Sequence, residues 1–132
     1  MSKIVTFSEA ALIALHGMVL IARSGATVNV LKIAEVTGSS RHHVAKIMQR
    51  LVKEGFLESN RGPSGGFHLT LDPKQITLLQ IYEAIEGKVK IAGCPQEKPV
   101  CPFPLCILGN TVSAMTKLFR DHFDSTTLAD ML

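Results

Sequence analysis

Three closely spaced cysteines are the residues of this chain most suited to chemistry. Cys94, Cys101 and Cys106 form the pattern C-x6-C-x4-C. Thiolates are preferred ligands of iron–sulfur clusters, zinc and copper(I). Zinc sites usually have four ligands and closely paired cysteines, which this pattern lacks. Proline follows both Cys94 and Cys101, as it follows some cluster ligands, and this indicates a restrained loop.

The same cysteines also fit two interpretations that need no metal. Three ordinary thiols in a flexible loop would give the same pattern, and so would a thiol–disulfide switch. An odd number of cysteines argues against a structural disulfide framework. Visible absorption after anaerobic purification separates a cluster from a switch, because a protein that only cycles its thiols is colourless.

A second set of chemically useful residues is a run of basic and polar side chains at positions 40–53. Helical periodicity turns the apolar residues at 44, 47, 48 and 51 inward, so the others project outward. Residues 1–70 carry eight Lys or Arg and four acidic residues, whereas residues 71–132 carry six and seven. The basic excess therefore lies in the half of the chain that contains this run, where contact with a polyanion is expected.

Capping residues and hydrophobic periodicity predict the elements that precede this run. Thr6 and Glu9 fit a capping box, and a first helix follows to about Arg23. A short second helix is expected over Val28–Val36. The run itself is expected to form the third helix, so the two preceding helices would pack behind it.

The third helix and a hairpin follow a compact turn at Gly38. Ser39 or Ser40 would cap this helix, which is expected to run to about Glu54. Two short strands are predicted over Phe56–Asn60 and Phe67–Leu71. The six residues between them contain three glycines and a proline, which is typical of a hairpin loop.

The remainder of the chain divides into a helix, a loop and a last helix. Thr77 and Gln80 form a second capping box, which opens a helix ending at Glu86. Residues 88–106 lack helical periodicity and hold all three cysteines. The last helix is expected from Ile107 to about Phe123, and Ser125-Thr126-Thr127 would cap one further turn. Its apolar seam, typical of a helix that packs along a partner helix, consists of Leu108, Val112, Met115 and Phe119.

The order of elements predicts a mainly α fold with a small β-hairpin wing, namely a winged helix-turn-helix followed by a long C-terminal dimerisation helix. We expect a DNA-binding domain over 1–87, a cysteine- and proline-rich cluster-binding loop over 88–106, and a dimerisation helix and tail over 107–132. The N-terminal part of a recognition helix enters the major groove, so the expected base readers are Ser40, Arg41, His42 and His43. The expected phosphate contacts are Lys46, Arg50 and Lys53, and the expected wing contacts are Arg61, Gly62, Gly65 and Gly66.

Three segments closely resemble the bacterial Rrf2 family of transcriptional regulators. They are SRHHVAKIMQRLVKEG at 40–55, RGPSGGF at 61–67 and ITLLQIYEAIEG at 76–87, and the resemblance extends over essentially the whole chain. It implies a homodimer, joined through the C-terminal helix, that binds a pseudo-palindromic operator in double-stranded DNA. It also implies a repressor that senses redox state, nitric oxide or iron–sulfur status.

The resemblance further implies an iron–sulfur cluster, because members that bind one carry three cysteines in this loop. The spacing here departs from the near-even spacing of those members, so the cluster type, 2Fe–2S or 4Fe–4S, stays open. Some members add a His three residues after the last cysteine, where this chain has Gly109. Others use an Asp near the N-terminus of the other subunit, and Glu9 occupies the matching position. Glu9 is therefore the candidate fourth ligand, with helix capping as its alternative role.

Other classes of protein fit the sequence less well. The apolar run from Ala10 to Ala22 is too short to span a membrane and lacks the features of a signal peptide, so a cytoplasmic location is expected. No phosphate loop, nucleophile elbow or acid–base pair indicates an enzyme. A non-catalytic adaptor that uses its winged helix for protein contacts remains the alternative from another class. Retained partner pull-down without any shift of promoter DNA would favour it.

Overall fold

The computed structural model describes residues 3–91 and 101–132, and it has the predicted winged-helix architecture. Within these residues, five helices and one antiparallel hairpin follow each other in the order α1, α2, α3, β1, β2, α4, α5. Two short 3₁₀ turns, Pro73–Gln75 and Leu128–Met131, precede α4 and follow α5. The bounds are α1 Glu9–Ser24, α2 Val30–Thr37, α3 Arg41–Lys53, β1 Leu57–Asn60, β2 Gly66–Leu69, α4 Leu78–Glu86 and α5 Thr111–Ser125.

The first helix begins at Glu9, and the predicted capping box of Thr6 and Glu9 is wrong. Ser8 is the N-cap instead, with extended backbone and an Oγ that accepts a hydrogen bond from the backbone N–H of Ala11 at 3.0 Å. Glu9 is consequently the first helical residue, and its carboxylate is not used for capping. The helix ends at Ser24, and Gly25 caps it in the left-handed conformation.

The second helix starts at Val30, two residues later than predicted, because Val28 pairs with the wing. The backbone groups of Val28 and Phe67 exchange two hydrogen bonds, of 2.9 and 2.8 Å. Asn29 then caps α2 through its side chain. The loop between α1 and α2 thus forms a one-residue third strand, which ties the wing to the helices.

The core lies between α1, α3 and α4 and holds the third helix in place. Val44, Ile47, Met48 and Leu51 of α3 are all buried. Gly17 of α1 allows a close approach, since a Cβ on this residue would lie 2.7 Å from Cε of Met48. Packing against α1 therefore fixes the inner face of α3 and leaves its basic face to solvent.

The C-terminal segment returns to this core after α5. The predicted capping box of Thr77 and Gln80 is present at the start of α4. Thr77 also pairs with Thr127 across a β-bridge, and the side chain of Leu128 is fully buried. The final turn, which the sequence predicted, is therefore part of the winged domain rather than a loose tail.

The last helix begins at Thr111, four residues later than the predicted start at Ile107. Gly109 has a φ of 61° and donates its backbone N–H to the carbonyl of Cys106, so this segment forms a turn instead of a helix. Leu108 therefore precedes α5, whereas the other three residues of the predicted seam lie within it.

Gly66 of β2 packs against Val28, so replacing it tests how the wing is attached to the loop between α1 and α2. A Cβ at this position would lie 2.4 Å from the carbonyl oxygen of Val28, and the φ of Gly66 is 151°. Backbone strain and overpacking each cost about 1–3 kcal/mol, so we expect Gly66→Ala to lower the free energy of unfolding by about 2–6 kcal/mol. Denaturant titration measures this change.

Gly62 in the same loop provides the matched control. Its φ is 98°, but a Cβ there would meet no heavy atom within 4 Å. Gly62→Ala should therefore carry only the backbone cost, about 1–3 kcal/mol, and be less destabilising than Gly66→Ala. Equal losses of stability in the two variants would contradict the close contact between Gly66 and Val28.

Candidate nucleic-acid interface

The exposed face of α3 is basic. It contains no acidic residue between Arg41 and Lys53, and its last turn carries two basic residues at the negative end of the helix dipole. The exposed side chains are Arg41, His42, Lys46, Gln49, Arg50 and Lys53. All three residues predicted to contact phosphates therefore lie on this face, together with two of the four predicted base readers.

The other two predicted base readers, Ser40 and His43, also make contacts within the chain. Ser40 caps α3, because its Oγ accepts the backbone N–H of His43 at 3.1 Å. The His43 side chain is 33% exposed, and its Nδ1 lies 3.5 Å from Oε1 of Glu9. The N-terminus of α3 therefore carries two outward side chains, Arg41 and His42, and one side chain directed towards α1.

The wing lies beside this helix and presents a glycine-rich loop. Strands β1 and β2 pair from Leu57 with Leu69 to Asn60 with Gly66. Arg61 and Gly62 are exposed at the tip, whereas Gly65 and Gly66 are half-buried because the backbone approaches closely there. The hairpin thus presents the guanidinium of Arg61 and a loop of small residues to solvent beside α3, where a ligand bound to α3 could also contact them.

A cleft lies between α3, the wing and the start of α2. Gln49 of α3 and Arg61 of the wing both line it, and so do Asn29 and Leu31 of α2. Neither Asn29 nor Leu31 was predicted from the sequence to belong to the site. Asn29 could have been recognised from the sequence, because asparagine is a favoured N-cap and the N-terminus of a helix can bind phosphate oxygens.

Two of the three cysteines, Cys101 and Cys106, lie in the segment that precedes α5. Cys101 and Cys106 are exposed and form no disulfide within the described residues. Cys94 lies outside the described residues. Within residues 3–91 and 101–132, no three His, Cys, Asp or Glu side chains are grouped for metal binding. The two exposed thiols nevertheless match the soft donors that iron–sulfur clusters require.

The face of α5 divides into an anchored end and an exposed end. Phe119 packs against Phe123, Tyr82 and Phe7, with ring centroids 4.2, 4.9 and 5.7 Å apart. Burial and the neighbouring carboxylate of Glu86 raise the pKa of Tyr82 within this aromatic cluster. Nearer the cysteines, Val112 is half-buried, and Leu108 and Met115 are exposed. Leu118, next to Phe119, is exposed as well.

Comparison with known proteins decides the family. The Rrf2 family, described as "Iron-dependent Transcriptional regulator", matches residues 7–132. The chain belongs to the Rrf2 family. This Rrf2 protein is therefore a transcriptional regulator, in a family whose members are not enzymes and bind DNA.

Relatives and solved structures agree with this assignment. The chain is 30% identical over 112 residues to the HTH-type transcriptional regulator NsrR of Bacillus subtilis, covering 83% of this chain and 77% of NsrR. The structure of CymR, the global cysteine regulator of B. subtilis, has a TM-score of 0.77 at 24% identity and covers 97% of this chain and 96% of its own. The structure of IscR from T. potens has a TM-score of 0.71 at 23% identity, covering 96% and 85%. Both structures share the fold of this Rrf2 regulator.

The described helices of this Rrf2 regulator include none with the length and apolar character needed to cross a membrane.

Proposed function

We propose that this Rrf2 regulator is a cytoplasmic repressor that binds a pseudo-palindromic operator in double-stranded DNA as a homodimer. The observation that carries the proposal is the exposed basic face of α3 beside a glycine-tipped wing. Helix-turn-helix dimers place two recognition helices in successive major grooves, so the symmetry of the operator mirrors the symmetry of the protein.

The proposed contacts follow from the donors on each part of the interface. Arg41 and His42 stand at the N-terminal end of α3, which enters the major groove, and they are proposed to read base edges. The side chains proposed to hold the phosphates that flank these bases are Lys46, Arg50 and Lys53. Arg61 at the wing tip is suited to a narrow minor groove or to an adjacent phosphate.

The proposed dimer uses the exposed end of α5. Its anchored end is fixed in the chain's own aromatic cluster through Phe119, so the apolar side chains nearer the cysteines are available to a second copy. They are Leu108, Val112 and Met115, and the exposed Leu118 beside Phe119 extends this surface. Burial of these side chains between two copies would remove apolar surface from water, which favours association.

We propose that Cys94, Cys101 and Cys106 hold an iron–sulfur cluster that controls operator binding. Such a cluster supplies a group whose integrity depends on iron supply and on exposure to oxidants or nitric oxide. The chain's own contribution is to supply thiolates just before α5, the helix whose other end is fixed in the winged domain. Glu9 of the other subunit is the proposed fourth ligand. The family description "Iron-dependent Transcriptional regulator" supports an iron centre.

Cysteine replacement tests this sensor. Anaerobically purified wild-type protein should contain iron and sulfide and absorb visible light, and Cys101→Ala or Cys106→Ala should lose both properties. The difference in operator affinity between cluster-loaded and metal-depleted protein should vanish in these variants, because too few thiolates remain. Ile107→Ala, which removes an exposed side chain next to Cys106, should change neither the iron and sulfide content nor the visible absorption. Equal affinity of the loaded and depleted wild-type protein for every operator would contradict the sensor.

A thiol–disulfide switch is the second candidate function. The observation that favours it is the exposure of both Cys101 and Cys106, since accessible thiols are the ones that oxidise. An oxidised form is also named for one structural neighbour, CymR of Staphylococcus aureus. A colourless, iron-free protein that loses thiols reversibly on oxidation would favour this function over the cluster.

A further inference from the structure

His43 differs from the side chains on either side of it in the recognition helix. Arg41 and His42 are exposed, whereas His43 is half-buried and lies on the side of α3 that faces α1. Its Nδ1 is 3.5 Å from the Glu9 carboxylate. Because this contact lies inside the chain, His43 is not directed outward as a base reader would be.

Glu9 is itself held at a defined place. It is the first residue of α1, and the preceding residue, Ser8, accepts the N–H of Ala11. The Ser8 hydroxyl also donates to the carboxylate of Glu86 at the end of α4. The start of α1 is therefore linked to α4, and a side chain bound to Glu9 is positioned relative to both helices.

The contact complements the packing further along the two helices. Met48 of α3 packs closely against Gly17 of α1, one turn and a half beyond His43. Val44, Ile47 and Leu51 are buried in the same core, so packing fixes the middle of α3. The pair of Glu9 and His43 adds a polar contact at the end of α3 that carries Arg41 and His42.

We propose that His43 is a positioning residue that acts through Glu9 and sets the angle at which the N-terminus of α3 meets DNA. Base reading then falls to Arg41 and His42. This inference rests on the proposed function, because it needs α3 to be the element that enters the major groove.

A double-mutant cycle tests the proposal in the full-length protein. Glu9→Ala, His43→Ala and the double variant are titrated as metal-depleted proteins against an operator selected by metal-depleted wild-type protein, so that the proposed ligand role of Glu9 does not enter the comparison. Exposed ion pairs contribute little, so each single variant should bind about threefold to tenfold more weakly in the dimer. The double variant should bind no more weakly than the weaker single variant, because both remove the same contact. Additive losses would overturn the proposal.

A specificity profile supplies a second readout, which does not depend on Glu9. Binding of His43→Ala to a set of operators with single base-pair changes should weaken uniformly, with the wild-type order of preferences retained. Loss of discrimination at one base pair alone would show that His43 reads that base and would overturn the proposal. His43→Gln, whose amide can donate to the same carboxylate, should recover most of the affinity. The thermal midpoint should stay near that of the wild type in all of these variants.

The outcomes separate this inference from the proposed function. If wild-type protein selects no operator at all, the proposed DNA-binding function fails. If it selects one and the cycle is additive, only the role of His43 fails.

Discussion

Arg41→Ala is expected to weaken operator binding by about 30-fold or more and to relax base preference in each half-site. Arg41 is the first residue of α3 and is exposed, so its guanidinium can reach the floor of the major groove. A good bidentate contact between Arg and a guanine is worth about 1–3 kcal/mol. A dimer makes the contact twice, so the loss should be about 2–6 kcal/mol in total.

Titration of labelled operator at fixed salt concentration measures this effect, and the salt concentration matters because phosphate contacts depend on it. Arg120→Ala is the matched control. It removes the same charge from an exposed position on α5, outside the winged unit. Its effect on affinity should be small. Similar losses in the two variants would mean that Arg41 contributes only to overall charge, and the proposed reading of bases by α3 would be wrong.

Leu128→Ala is expected to lower the free energy of unfolding by about 2–5 kcal/mol, the usual cost of a large-to-small change in a core. The side chain of Leu128 is 0% exposed, and its backbone N–H donates to the carbonyl of Ile76 at 2.9 Å. The neighbouring Thr126 accepts the N–H of Leu78 in the same way. A short C-terminal turn therefore closes the core that α1 and α4 share.

Leu132→Ala provides the control for this prediction, since Leu132 belongs to the same tail but is 65% exposed. Urea unfolding followed by circular dichroism should show a change of less than about 0.5 kcal/mol for this variant. If both replacements cost the same, the tail does not contribute to the core. The loss in Leu128→Ala should also weaken operator binding, because α5 would lose its anchor in the winged domain.

The sequence predicted those parts of the fold that local patterns determine. The apolar positions of α3 repeat at helical spacing, which placed the basic face correctly. The glycines between β1 and β2 marked the hairpin, and Thr77 with Gln80 marked the start of α4. Each of these signals lies within a few residues of the feature that it predicts.

Contacts between distant residues account for what the sequence did not predict. Val28 fits a helical pattern, but pairing with Phe67, which lies 39 residues away, delays the start of α2. Thr6 and Ser8 are both residues that can cap a helix, and Ser8 caps α1 because the helix begins at Glu9. Likewise, the contact between Glu9 and His43 follows only from the packing of α1 against α3.

Selection from random-sequence DNA tests the central claim, that α3 and the wing form a sequence-specific DNA interface, most directly. Full-length wild-type protein should enrich one pseudo-palindromic motif, with half-sites separated by about one helical turn or a multiple of it. Arg41→Ala should enrich no motif or a more degenerate one. A wild-type protein that enriches nothing at low salt, or an Arg41→Ala variant that enriches the same motif with the same affinity, would contradict the account.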